Sequence, residues 1–151
     1  MEKLWNKTVR DLYHKFEEHI EDMGFEYIDS GGCREVFWRG NVVIKVPNRE
    51  AGIIDNIVEA AVWRQYKHKK TPEGILLAPC RLLRNKCLMM VYVEMEENGN
   101  KLPKWANKVD CEQVGIYKNR YVAYDYALDV EVPDEIADKY HQVLKANDYI
   151  R

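Results

Sequence analysis

Four features of the sequence are of types that do chemistry together. Ser30-Gly31-Gly32 lies between two strand-like runs, and Lys45 sits inside the otherwise apolar stretch Val42-Val43-Ile44-Lys45-Val46. Glu59 follows in a helical pattern, and Asp125 falls near the end of Tyr121-Val122-Ala123-Tyr124-Asp125-Tyr126. A lysine among branched aliphatics is costly to bury unless it is paired. Glu59 is its natural partner; the alternative is a lysine whose head turns to solvent. An ammonium held by a carboxylate beside a glycine turn is suited to gripping phosphates, because glycines let backbone N–H groups approach and the lysine offsets the charge. A further carboxylate, Asp125, would then hold Mg²⁺, which prefers hard oxygen ligands and bridges phosphate oxygens.

These residues need elements to position them. Residues 2–23 carry Trp5, Val9, Leu12, Tyr13, Phe16, Ile20 and Met23 at three- and four-residue steps, which predicts an amphipathic helix stopped by Gly24. Phe25–Asp29, Cys33–Trp38 and Val42–Val46 read as strands, the last two joined through Arg39-Gly40-Asn41 and closed by Pro47. Residues 52–68 return to helical spacing. Ile75–Leu83 and Lys86–Val93 predict a second strand pair, followed by a polar connector over 94–100. Val114–Tyr117 and Tyr121–Tyr126 predict a hairpin about Lys118-Asn119, and Pro133–Lys145 a last helix. Strands that come as hairpins, with no βαβ unit, imply an antiparallel α+β fold.

The order of these motifs resembles the protein-kinase-like fold, including the small-molecule kinases related to it. Ser30-Gly31-Gly32-Cys33-Arg34-Glu35-Val36-Phe37 looks like the glycine loop that covers phosphates, Val43-Ile44-Lys45-Val46 like the V-A-I-K strand, and Glu59 like the glutamate of the following helix. Leu88–Val93 is similar to the strand entering the hinge that clasps adenine, which implies ligand contacts at Val91 and Val93. Asp110-Cys111-Glu112-Gln113 resembles a worn catalytic loop, and Tyr124-Asp125-Tyr126-Ala127 stands where D-F-G would be. The resemblance thus implies a kinase N-lobe-like antiparallel sheet with one packed helix, a remnant C-lobe hairpin and terminal helices, divided as 1–24, 25–97 and 98–151. Lys45, Glu59 and Asp110 take the catalytic positions. Ser30, Gly31, Gly32, Arg34, Lys45, Val91 and Val93 take the ligand and phosphate positions. Gln113 and Asp125 take those of a Mg²⁺ site.

The departures are informative. With Val36 aligned on the loop's valine, Asp29, Gly31 and Arg34 occupy the three glycine positions. Arg34 there either closes on phosphates or cross-braces the loop. No His-Arg precedes Asp110, Gln113 follows it too soon, and Ala127 replaces the D-F-G glycine. Sixteen residues between Val93 and Asp110, and 26 after Asp125, are too few for a usual second lobe. The sequence therefore implies a small pseudokinase-like protein of bacterial or phage type. It would bind a nucleotide or other phosphate-bearing ligand without phosphoryl transfer, by sequestration or by regulating a partner. Two alternatives stand beside it: a minimal Mg²⁺-dependent small-molecule or protein kinase, and a protein–protein inhibitor built on a ligand-free scaffold.

Composition narrows the rest. Among 151 residues, 23 Lys and Arg against 25 Asp and Glu give a net charge of −2, so no overall field recommends nucleic acid or an anionic membrane. No apolar run reaches the length of a membrane span. Four cysteines at irregular spacing, with no C-x-x-C, predict reduced thiols in a cytoplasmic protein and no zinc site; haem and flavin are likewise not expected. The implied cofactor is Mg²⁺ with a nucleotide, and the implied partners are a nucleotide-like small molecule and a protein partner or a second copy of the chain.

Overall fold

A computed structural model describes residues 2–95, 102–109, 113–127, 131 and 133–139. The chain runs α1 (Glu2–Asp22), β1 (Glu26–Ser30), β2 (Arg34–Arg39), β3 (Val42–Pro47), α2 (Glu50–Tyr66), β4 (Cys80–Leu82), β5 (Leu88–Val91) and β6 (Glu94–Met95). A 3-10 helix (Lys104–Lys108), β7 (Val114–Tyr117), β8 (Arg120–Ala123) and α3 (Asp134–Lys139) follow. The first five strands form one antiparallel sheet in the order β1-β2-β3-β5-β4, and β6-β7-β8 form a second. The fold is α+β, as the hairpin pattern predicts.

Register decides what each face of the large sheet does. Directly opposed residues in an antiparallel pair share a face, and β2 meets β3 with Phe37 on Ile44, Glu35 on Val46 and Val36 on Lys45. Phe37, Ile44 and Val46 therefore point one way, where they pack with Tyr13, Ile20 and Cys87 under α1. Arg34, Val36, Val43 and Lys45 point the other way, toward α2 and the cleft. That second face carries the larger core, which joins Ile54, Ile57, Val58 and Val62 of α2 to Ile75–Ala78, Leu88, Met90 and Tyr126. The sheet is thus sandwiched, with α1 behind it and α2 with the cleft in front.

Tight turns follow residue type. Gly40 takes a φ of +60°, and Lys118 and Asn119 take φ values of 48° and 62°, the left-handed pair that a two-residue hairpin requires.

Four expectations change. Within Ile75–Leu83 only Cys80–Leu82 is a strand. Residues 75–78 instead dock on the small sheet, where Ala78 N–H donates to Ala123 O (2.9 Å) and Ala123 N–H to Leu76 O (2.8 Å). Their side chains are all buried, so the segment has the apolar run of a strand without its ladder. Glu94 and Met95, expected in a polar connector, pair with Ile116 and Gly115 as β6. Leu12 and Met23 fall off the buried stripe of α1 and are 52% and 42% exposed. Leu12 lies beside the stripe centred on Tyr13, Phe16 and Ile20, and Met23 lies past the helix end. The expected helix over 133–145 is seen over Asp134–Lys139, and its remainder lies outside the described residues. Among the described residues, no helix is long and apolar enough to cross a membrane.

Candidate functional site

A cavity of about 430 Å³ opens between the β1–β2 turn, the front face of β2 and β3, the segment after β5, and the residues after β8. Its lining includes the apolar side chains of Val36, Val43, Met90, Val91, Val93 and Ala127. Arg34, Lys45, Asp55, Asp125 and Gln113 supply its charged and polar lining, Lys45 directly across from Val36 on β3 and β2. Gly31 and Gly32 line its mouth.

Glu59 organises the charged residues. It is fully buried on α2, and its carboxylate accepts from Lys45 Nζ (3.0 Å to Oε1), from the Arg34 guanidinium and from the Tyr126 backbone N–H (2.9 Å). Burial alone would raise the Glu59 carboxyl, but Arg34 and Lys45 outweigh it and hold its pKa below the ordinary value. Lys45 Nζ also donates to the Tyr124 carbonyl. The predicted Lys45–Glu59 pair is therefore formed, and a lysine only 5% exposed is satisfied in the way its burial demands.

Arg34 goes further than either reading of it from sequence. Its guanidinium reaches Asn56 Oδ1 (3.0 Å), Glu59 and Asp125 Oδ1 (2.9 Å), with Asp55 Oδ2 at 3.9 Å from Nε. It ties the glycine turn to α2 and to the segment after β8. Burial disfavours its charge, but Glu59, Asp125 and Asp55 more than restore it and raise its pKa. Asp55 moves the other way. Burial pushes its carboxyl up to about 6, Arg34 opposes that, and Glu59 and Asp125 add to it.

Of the remaining predicted positions, Gly31, Gly32, Val91 and Val93 line the cavity. Ser30 is exposed and is not among the lining residues. Gly31 N–H is committed to the hairpin, donating to Arg34 O at 2.9 Å. Neither Gly31 nor Gly32 has positive φ, and an added Cβ would meet only Arg34 O at 3.9 Å in the first case and nothing within 4 Å in the second. Asp110 lies outside the described residues.

Gln113 and Asp125, the pair expected to hold Mg²⁺, make a poor donor set for it. One is a neutral amide, and the other already gives Oδ1 to an arginine. Among the described residues no group of three or more His, Cys, Asp or Glu side chains is placed to hold a metal ion.

Sequence reasoning missed Asp55, Asn56 and the Tyr126 N–H. The spacing held a signal for the first two: Asp55 and Asn56 precede Glu59 by four and three residues, so all three share a helix face. Tyr126 itself is fully buried, with its hydroxyl donating to Ala78 O at 3.0 Å beside Cys80 Sγ.

No protein-family model matches the chain, and no curated protein matches it significantly. Among solved structures, that of the streptomycin–ATP–APH(2″)-IIa ternary complex is similar over 91% of this chain, at 16% identity and a TM-score of 0.44, and this chain spans about half (52%) of that structure's length.

Proposed function

We propose that the cleft holds a nucleotide or another phosphate-bearing small molecule, and that the protein acts by keeping that ligand or by presenting the occupied cleft to a partner, without phosphoryl transfer. The observation that carries this reading is the buried Lys45–Glu59 pair, whose lysine lines a cavity that also carries the apolar side chains of Val36, Val43, Met90, Val91 and Val93. Such a cavity suits a ligand with a flat apolar part and an anionic part. The glycines support it too. Nothing inside the protein requires glycine at 32, so the bare backbone there fits close approach by a ligand. The absence of transfer is inferred from Arg34, which engages both Glu59 and Asp125.

The test is calorimetric and thermal-shift titration of the full chain with adenine and guanine nucleotides. Binding is expected, with a rise of several degrees in melting temperature that Lys45→Ala abolishes. Gly32→Ala is expected to leave the melting temperature within a degree or two, or raise it slightly, while weakening the ligand by about tenfold. Equal loss of stability and binding in Gly32→Ala would count against the glycine reading. Transfer of phosphate from ATP, lost in Asp125→Ala, would replace it with an enzyme reading.

A further inference from the structure

The charged cluster at the cleft has a composition that limits its ligand. Arg34 and Lys45 supply two positive charges, while Asp55, Glu59 and Asp125 supply three negative ones, a balance of 2 − 3 = −1. Asp29 adds a further carboxylate at the mouth. A ligand with several phosphate charges would add to this excess unless a divalent cation came with it. The carboxylate best placed to receive such a cation, Asp125, is held by Arg34 Nη2 at 2.9 Å. Mg²⁺ on that carboxylate would sit about 2.0–2.1 Å from its oxygen, a few ångströms from a guanidinium pinned by Asn56 and Glu59. Two cations so close repel, and although Asp125 is 41% exposed, the Arg34 side chain, at 7%, is little screened.

Donor capacity points the same way. Lys45 has three N–H groups; its Nζ lies 3.0 and 3.5 Å from the two Glu59 oxygens and also donates to the Tyr124 carbonyl, so at most one N–H is left over. The Arg34 terminal nitrogens carry four N–H groups, of which Asn56, Glu59 and Asp125 take three. What is left, at most one lysine N–H and one arginine N–H, suits one phosphate group and not a chain of them.

We infer that the cleft takes a nucleotide bearing a single phosphate group and binds it without a divalent metal, Arg34 being the fixed cation in the metal's stead. The inference rests on the nucleotide reading above and narrows it. Calorimetry of the full chain with nucleosides and their mono-, di- and triphosphates, in EDTA and again in Mg²⁺, tests it. A monophosphate should bind with the same affinity, within about twofold, in both buffers, and the triphosphate in EDTA should be at least about tenfold weaker. A Mg²⁺-triphosphate that binds tightest, with a monophosphate that needs Mg²⁺, would overturn the inference and leave the nucleotide reading standing. No heat with any of these ligands would overturn the nucleotide reading itself. Mg²⁺ alone should not move the melting temperature of the wild type, whereas Arg34→Gln should acquire a Mg²⁺-dependent rise. If Arg34→Gln does not fold, the wild-type titrations decide by themselves.

Discussion

Glu59 is fully buried and holds two cations and a backbone N–H. Removing one partner of a buried ionic group leaves the others uncompensated, at a cost of ~3–5 kcal/mol. Glu59→Ala is therefore expected to lower unfolding stability by about that amount in denaturant titration; a loss below 1 kcal/mol would mean that Arg34 and Lys45 find other partners. Asp55 gives a pH dependence of opposite sign. Its folded pKa of about 6 lies above the ordinary 3.8, so the folded state binds more protons between those values. Its contribution thus becomes less favourable as pH rises through that window, and the penalty is complete above it. Glu59, held low, contributes stability that is present above its unfolded pKa and lost as pH falls through its folded value. Asp55→Asn should flatten the melting temperature between about pH 4 and 6 and raise it near neutrality. An unchanged profile would assign the slope to another group. At this scale the Lys45–Glu59 pair was legible, because a lysine inside an aliphatic strand has few ways to be satisfied. Asp55 and Asn56 were not, because polar residues on a helix read as a solvated face until the neighbouring turn supplies an arginine.

Two glycines separate fold from ligand at the scale of elements. A β-carbon on Gly52, in the first turns of α2, would run into the Cys33 carbonyl. That carbonyl also accepts from Asn48 N–H at 2.9 Å, so the turn before β2 is fastened to the connection between β3 and α2. Gly115 on β7 would bring a β-carbon within 2.7 Å of Glu94 O, where β6 pairs with β7. Both Gly52→Ala and Gly115→Ala should destabilise by ~1–3 kcal/mol, the usual cost of overpacking. In thermal melts each should fall clearly below Gly32→Ala; matching melts for all three would mean the backbone yields at both contacts. The hairpins over 34–47 and 114–123 were readable from β-branched runs around turn residues. A two-residue strand such as β6 carries no periodicity to read. The buried run 75–78 has strand composition, and only the position of Ala123 reveals that its hydrogen bonds go elsewhere.

Across the whole molecule, the large sheet separates two unlike surfaces. Behind it, Tyr13 and Ile20 of α1 cover Phe37, Ile44 and Val46; in front lies the cleft. Tyr13→Ala should cost about 3–5 kcal/mol, as for other large aromatic truncations, and increase binding of a dye that reports exposed apolar surface. Because α1 lies on the opposite face, the affinity of the folded fraction for the proposed nucleotide ligand should stay within about twofold of the wild type. A large loss of affinity would show that the helix shapes the cleft through the sheet. The α+β architecture was visible in the sequence through the order of periodicities. The sandwiching was not, because an amphipathic helix announces that it needs a cover without saying which face supplies it.

Tyr13 also donates its hydroxyl to the Asn85 carbonyl at 2.5 Å, across 72 residues of sequence. It shares a buried cluster with Phe37, Ile44, Val46 and Cys87, all later in the chain. During synthesis α1 therefore emerges before the residues it packs with. Phe37, Ile44 and Val46 follow on β2 and β3, while the Asn85 carbonyl and Cys87 come only with the β4–β5 turn. Complete docking of α1 therefore requires the chain through the β4–β5 turn.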